Sequence, residues 1–505
     1  MNITSLNFVV FFFITLVIYY LTPHRIKWFT LLVFSLAFFV IVSSIKMIPY
    51  LFFGIIVSYF GARIISEKCK TSKQKKTTLI LTLCLIGAEL FLLKYINIFP
   101  NTVNLFGRLF NISLGAKNFS LVAPLGISYY TLSLIGYIVD VYWEVAPAQK
   151  NFLKHSLFTC YYPFMISGPI VRKNEMTDEL FATHKYKWHN LLFGSERMLW
   201  GYFKKMVIAD RLAIIVATVF SDYQAYSGIF IVFAVFCYAF QIYADFSGCM
   251  DIVIGASEVY GIKLPENFNY PFLSKNLSEF WRRWHITLGT WSKNYILYPL
   301  LKSNLFQKLA LLIKNKFGKQ ASKSIPTFLG LFILWLIIGF WHGASYLYIF
   351  AAGVLPSIYL ISSEIFQPVF KKIKEMFKIR TECFSYTLFQ MFRTLSLMCL
   401  IWLVVCSNGV IESISVIKHI GSNLLSFSTI SLGVSKYDLL LLLFAIQLLL
   451  AVDVLHSKGY KIREIFEKQN VIFRYVILLV AIFSIIIFGI YGPGYNSVDF
   501  IYGGF

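Results

Sequence analysis

Long apolar runs alternate with short, mostly basic connections along most of the 505-residue chain. A run of about 17–25 apolar residues is long enough to cross the roughly 30 Å hydrocarbon core of a bilayer as a helix. Such runs predict spans at 6–22, 28–44, 48–66, 77–96, 226–244, 327–345, 347–363, 384–407, 437–454 and 473–491, with a further one at 121–142. The segments 157–171, 191–220 and 246–262 are apolar but interrupted by glycine, proline or charge. They read as re-entrant or interfacial pieces, because irregular backbone at membrane depth survives only where protein buries it or a cavity lines it. Residues 1–22 lack a basic start and a small-residue cleavage site, so the first run is expected to remain as a span. The pattern predicts an all-α polytopic membrane protein of about 11 spans, with re-entrant or interfacial helices added. No internal repeat and no inverted pair of halves is visible.

Composition sharpens this reading. Hydrophobic residues make up 58% of the chain and charged ones 14%, with a mean hydropathy of +0.69. That balance excludes an ordinary soluble globular domain. The eight cysteines, at 69, 84, 160, 237, 249, 383, 399 and 406, follow no metal-like or paired spacing. They read as packed thiols, and neither a disulfide framework nor a zinc site is predicted.

A net charge of +22 suits nucleic acid in principle, but its placement points elsewhere. The basic residues gather in short connections: Lys68, Lys70, Lys73, Lys75 and Lys76; Lys302, Lys308, Lys314, Lys316 and Lys319; Lys371, Lys372, Lys374 and Lys378; Lys458, Lys461 and Arg463. Placing all four clusters on the cytoplasmic side gives one consistent alternating topology. It puts 22–27, 67–76 and 263–300 inside, and it puts the N-terminus, 409–436 and the tail from Tyr491 to Phe505 outside. The charge is then topogenic and faces lipid headgroups; attraction of an anionic cytosolic cofactor stands beside that reading. No nucleic-acid partner is expected.

One dense polar block, Glu266 to Leu300, breaks the membrane pattern. Asn276 followed by Glu279 predicts a helix opening at about Leu277. On that helix Trp281, Trp284, His285 and Leu288 fall on one face, with Arg282 and Arg283 pointing elsewhere, at phosphate or headgroup depth. An amphipathic interfacial helix anchored by Trp and Arg has the same pattern.

His342 stands near the end of an apolar span, in L-W-L-I-I-G-F-W-H-G-A-S. Ionisable groups at that depth are costly and tend to face a cavity or a partner, and a neutral imidazole is suited to general-base work. Gly339 and Gly343 would let a substrate approach the backbone. A hydrogen-bonded packing histidine is the bland alternative.

Asp245 and Asp251 bracket Ser247 and Gly248 and either line a polar cavity or mark a water interface. P-L-G-I-S-Y-Y-T at 124–131 and S-G-P-I-V-R at 167–172 suggest broken helices around a funnel. His24, His155, His184, His189, His419 and His456 lie near predicted loops and are expected to be solvated. No glycine-rich nucleotide loop, Ser–His–Asp pattern or Cys/His metal cluster is found.

Several motifs together resemble the membrane-bound O-acyltransferase superfamily, and within it the AlgI-like branch, to which the DltB proteins are related. They are P-L-G-I-S-Y-Y-T-L-S-L-I-G-Y-I-V-D-V-Y (124–142), I-S-G-P-I-V-R (166–172), D-F-S-G-C-M-D-I-V-I-G (245–255), L-P-E-N-F-N-Y-P-F (264–272), F-W-R-R-W-H-I-T-L-G-T-W (280–291) and G-F-W-H-G-A (339–344). The resemblance implies a funnel-shaped helical bundle with a tunnel through its thin centre. Residues 1–505 form a single membrane-embedded acyltransferase domain in this scheme. Its parts are N-terminal spans (1–120), a catalytic core (121–345) carrying a cytosolic block (263–326), and C-terminal spans with an outer tail (346–505).

His342 would be catalytic, with His285 nearer the cytosolic mouth, assisting or positioning the thioester. Arg282, Arg283, Trp284, Asn294 and Asp245 would serve the donor mouth, and Tyr502 would be an outward acyl relay. The resemblance implies no bound cofactor. An acyl thioester, either acetyl-CoA or an acyl carrier, is the expected donor substrate, with an extracytoplasmic acyltransferase partner acting on a glycan.

Two departures from the branch stand out. Leu301-Lys302-Ser303-Asn304 replaces a glycine-rich turn, and Gly503 replaces an aromatic near the end. D-alanyl transfer to teichoic acid is the nearest rival reading, a transporter or flippase of envelope precursors the rival from another class, and a catalytically dead scaffold a third.

Overall fold

A computed structural model describes residues 1–109, 112, 115–343, 345–407, 409–425 and 431–491. Helices dominate, and the β-type pairing among the described residues is an isolated antiparallel bridge between Phe268 and Trp284. Nine described helices are long and apolar enough to cross a bilayer: His24–Ser43, Ile45–Lys68, Ser72–Tyr95, Gly228–Val259, Asn304–His342, Tyr346–Ile365, Phe384–Cys406, Lys436–Ser457 and Val471–Phe488. The protein is therefore a multi-pass membrane protein.

The other two expected spans are helices of 16 residues, Leu6–Leu21 and Ile127–Tyr142. At 1.5 Å per residue each covers roughly 24 Å, short of a full hydrocarbon core. They differ in surroundings. Leu6, Phe13 and Leu21 are exposed along the first, as a lipid-facing helix requires. The second starts only at Ile127, not at 121, and all of it but Ile135 and Tyr142 is buried.

Helix starts are fixed by short polar side chains that satisfy the otherwise unpaired N–H groups of the first turn. Ser5 accepts from Phe8, Asn151 from Lys154 and Ser303 from Phe306. Thr71 with Gln74 and Ser435 with Asp438 form reciprocal capping boxes.

Two of the expected broken segments are continuous helix. Residues 246–262 mostly extend the 32-residue helix Gly228–Val259. The run 191–220 lies inside Trp188–Tyr202, Phe203–Ala209 and Asp210–Ser221, which follow one another without a loop and whose middle piece is π-helical. The charges that interrupt this run in the sequence, Lys204, Lys205 and Asp210, are buried and paired within the fold. The 157–171 segment is broken as expected, into Phe152–Cys160 and the single turn Tyr162–Met165.

The described chain forms two compact units. One comprises Met1–Trp200 with Cys249–Pro265; the other comprises Gly201–Gly248 with the described chain from Glu266. The first has an aromatic core in which the Tyr162 and Tyr260 hydroxyls lie 2.7 Å apart. It also corrects the expectation for His155, which is fully buried. Its Nε2 lies 2.7 Å from Ser58 Oγ and its Nδ1 2.7 Å from Lys173 Nζ. The Lys173 ammonium sits over the Tyr137 ring, 3.9 Å from its centre. Asp251 is in this unit and pairs with Arg197 at 2.9 Å.

The second unit holds the polar block and the helix that ends at His342. That 39-residue helix, Asn304–His342, is interrupted by Gly318 at φ 85°, with Pro326 following in the next turns. Undivided it would be roughly 58 Å long, far more than a bilayer core. The interruption separates an exposed basic part from the apolar part that carries His342.

Candidate functional site

The polar block departs from the single helix that its spacing predicted. A short helix, Leu277–Arg283, opens at Asn276, whose side chain accepts from Glu279 N as expected. It stops at Trp284, and a second helix, Ile286–Ser292, begins one residue after it. Trp281, Trp284, His285 and Leu288 therefore do not share one continuous helical face.

The break comes from a segment 17 or so residues upstream. Asn269 N donates to Arg283 O at 2.9 Å and Ile286 N donates to Asn267 O at 3.0 Å. These bonds flank the Phe268–Trp284 bridge and take up backbone groups that a continuous helix would use internally.

His285 lies at the break with φ 49° and ψ 52°, in the left-handed region. A non-glycine residue there costs on the order of 1–3 kcal/mol, and such residues concentrate at functional sites. His285 is buried, as are Asn267 and Thr287. Asn267 Oδ1 receives the Thr287 backbone N–H at 3.1 Å and the Thr287 hydroxyl at 3.0 Å, and it lies 3.2 Å from His285 Nδ1. The Phe246 ring meets the imidazole edge-on at 4.8 Å. Burial holds the His285 pKa well below the usual histidine range, and nearby His342 depresses it further. His285 is therefore a neutral imidazole.

His342 ends its helix and is partly exposed. The buried Trp341 indole links the two histidines, its ring centre lying 6.2 Å from that of His285 and 5.0 Å from that of His342. The structure thus brings together two imidazoles that are 57 positions apart in the chain. One of them is buried and hydrogen-bonded and the other, partly exposed, ends a span.

Gly339 and Gly343 play a different part from the one expected. A Cβ at Gly339 would stand 2.9 Å from the backbone of Gly353 and from Tyr348 O, and one at Gly343 would stand 2.7 Å from the Tyr348 ring. The space beside them is filled by the π-helical turn Ile349–Val354 and by Tyr348, so they serve close packing of the turn that carries His342.

The remaining expected residues separate into distinct surroundings. Trp284 is buried among Phe268, Phe280, Tyr243 and Trp402, with ring centres 5.1–6.1 Å away. Asp245 is buried in an ion pair with Lys205, which also binds Asp210. Arg283 pairs with Glu279 at 2.7 Å. Arg282 is exposed, and Asn294 is half-buried on the π-helical turn Lys293–Leu297.

Sequence reasoning missed Lys293 on that same turn. Burial lowers its pKa, and the positive charge of Arg282 adds to the effect, so two cations lie close enough to repel. Such a pair favours an anion beside it. The missed Asn267 lay inside the P-E-N-F-N-Y-P motif, where only its pairing across the break reveals a role. Tyr502 lies outside the described residues.

Residues 144–313 match the model of the MBOAT, membrane-bound O-acyltransferase, family. The chain is 31% identical over 357 residues to a probable alginate O-acetylase AlgI of Pseudomonas syringae pv. tomato, a match covering 68% of this chain and 63% of that protein. It is 32% identical over 344 residues to a peptidoglycan O-acetyltransferase of Helicobacter pylori, covering 63% of this chain and 61% of the relative. A teichoic acid D-alanyltransferase of Bacillus subtilis is 28% identical over 260 residues, covering 50% and 62%. The matches span less than two thirds of each relative's own length.

Proposed function

The chain belongs, through residues 144–313, to the membrane-bound O-acyltransferase family, and from that premise we propose that it is a membrane O-acetyltransferase that acylates an extracytoplasmic polysaccharide. The observation that carries this reading is the grouping of His285 and His342 around Trp341, in a chain that crosses the membrane many times. The relatives named for O-acetylation of alginate and of peptidoglycan support acetyl as the acyl group.

The donor is a cytosolic acyl thioester, and no cofactor remains bound. Arg282 and Lys293 supply positive charge where an anionic carrier approaches. The acceptor hydroxyl oxygen attacks the thioester carbonyl carbon, the C–S bond breaks, and the carrier leaves as its thiol. His342 takes the hydroxyl proton and returns one to the sulfur, so the imidazole ends the cycle neutral.

In this scheme the basic connections face the cytoplasm, and both chain termini and 409–436 lie outside. An extracytoplasmic acyltransferase partner completes delivery to the glycan.

The test is the ester content of purified envelope and secreted glycans from cells producing wild type or His342→Ala at matched membrane levels. Loss of ester acetate in the variant is expected and names the acceptor. Loss of alanyl ester alone moves the protein to the D-alanyl branch, for which the Bacillus subtilis relative speaks. No change in either ester overturns the role of His342 and favours a transporter of envelope precursors.

A further inference from the structure

The chemistry of Asn267 Oδ1 settles which nitrogen of His285 carries the proton. The Thr287 backbone N–H points at this atom from 3.1 Å, and a backbone N–H can only donate. The amide atom in that position is therefore the carbonyl oxygen and not the NH₂ group, which fixes the orientation of the side chain. An amide oxygen can only accept. His285 Nδ1, 3.2 Å from it, must accordingly be the donor, and the proton of the neutral ring resides on Nδ1. Nε2, on the side of the ring turned away from Asn267, then carries the lone pair.

Resting on the acyltransferase reading above, we propose that Asn267 is a positioning residue that locks His285 as its Nδ1–H tautomer, so that Nε2 meets the substrate as a hydrogen-bond acceptor. Three features of the fold serve this arrangement. Asn267 is completely buried, so no water competes for its oxygen. Its own carbonyl holds Ile286 N at 3.0 Å, which fixes the backbone on the far side of His285. The left-handed conformation at φ 49° then turns the imidazole back toward the amide instead of along a helix face.

The assignment has a mechanistic consequence. A neutral Nδ1–H imidazole offers no proton from Nε2, so His285 neither donates to a developing oxyanion nor binds phosphate as a cation. Its Nε2 orients a donor on the substrate, either the attacking hydroxyl or an N–H of the thioester carrier. Second-layer hydrogen bonds that set a histidine tautomer are typically worth ~10–100-fold where they have been removed around metal-bound imidazoles, and an effect of that order is expected here.

The experiment uses the full chain purified in detergent with ring-¹⁵N histidine, the His285 signals being identified by their disappearance in His285→Gln. Wild type at neutral pH should show His285 as the neutral Nδ1–H form. An Nε2–H form or an imidazolium would overturn the proposal, whatever the protein transfers.

Asn267→Asp keeps an acceptor oxygen and should keep the Nδ1–H signature, whereas Asn267→Leu should lose it. In acetyl transfer from acetyl-CoA, Asn267→Leu should lower kcat by ~10–100-fold with KM nearly unchanged, and Asn267→Asp should restore most of the rate. Equal rates for Asn267→Leu and wild type would overturn the positioning role. If the Leu variant does not fold, the wild-type and Asp spectra still decide the tautomer. If wild type itself transfers no acetyl group, the acyltransferase reading fails while the ring-nitrogen spectrum still judges the hydrogen bond.

Discussion

Lys205 Nζ lies 2.6 Å from Asp245 Oδ1, and both side chains are almost completely withdrawn from solvent. The same ammonium reaches Asp210 at 2.7 Å, so one cation holds two buried carboxylates. Removing one member of a buried ion pair strands the other and typically costs about 3–5 kcal/mol. Lys205→Ala should therefore destabilise the protein more than Asp245→Asn, because it leaves two carboxylates facing each other. Thermal unfolding in detergent checks the order; equal melting temperatures for the two variants would contradict it.

The packing around His342 gives a second expectation. Gly339→Ala would place a methyl group 2.9 Å from the Gly353 backbone, and overpacking of this kind typically costs about 1–3 kcal/mol. Gly87, within the helix Ser72–Leu90, has nothing within 4 Å of the added carbon. Gly87→Ala should be neutral or stabilising by about 0.5–1 kcal/mol, through the lower backbone entropy of the unfolded chain. The fraction remaining monodisperse after heating distinguishes the two, and loss in both would contradict the assignment.

How much of this was legible in the chain depends on the range over which each feature is determined. The long spans follow from local apolar length, and His342 stood out because an ionisable group inside such a run is costly. His285 was visible as a residue but not in its conformation. Helical spacing from Leu277 onward is locally sound; it fails because Asn267 and Asn269 capture the backbone of 283–286. That pairing joins two segments that helical spacing does not connect.

His155 was misjudged for a similar reason. Its place near a loop suggests solvent, whereas Ser58, 97 positions away, and Lys173, 18 positions away, give it partners inside the fold. Lys204, Lys205 and Asp210 interrupt an apolar run in the sequence, whereas in the fold Ser247 and Asp245 satisfy the two lysines and Lys205 in turn satisfies Asp210. Ser58, Ser247 and Asp245 reach their partners from other helices, while Lys205 and Asp210 meet along one continuous helical run.

The buried histidines set the pH dependence of stability. Burial holds His285 and His155 well below the ordinary histidine pKa in the folded protein. Below about pH 6.5 the unfolded chain takes up protons at these positions and the folded chain does not. Stability is therefore fully present above that pH and is lost as pH falls. The melting temperature should drop between pH 7.5 and 5.5, and the drop should be smaller in His285→Gln. An unchanged drop would show that His285 is not held neutral.

Orientation is open to a direct chemical probe. Cys383 is exposed, and its hydrogen bond with Ser385 at 3.2 Å, together with nearby backbone groups, lowers its pKa, which raises its reactivity. It follows the basic stretch Lys371–Arg380 that the proposed topology assigns to the cytoplasm. A membrane-impermeant maleimide should label Cys383 in inside-out vesicles and leave it unlabelled in intact cells, with a Cys383→Ser variant as the control. Labelling in intact cells would invert the topology.

The central claim is that this chain passes an acyl group from a cytosolic thioester to an outer glycan, using His342 with His285 beside it. Its most direct test supplies radiolabelled acetyl-CoA to the cytosolic face of sealed membrane vesicles containing wild type, His285→Ala or His342→Ala at equal levels, and measures alkali-labile label on glycan. Label on glycan with wild type, abolished by His342→Ala and reduced by His285→Ala, is the predicted result. Equal label in all three would contradict the account.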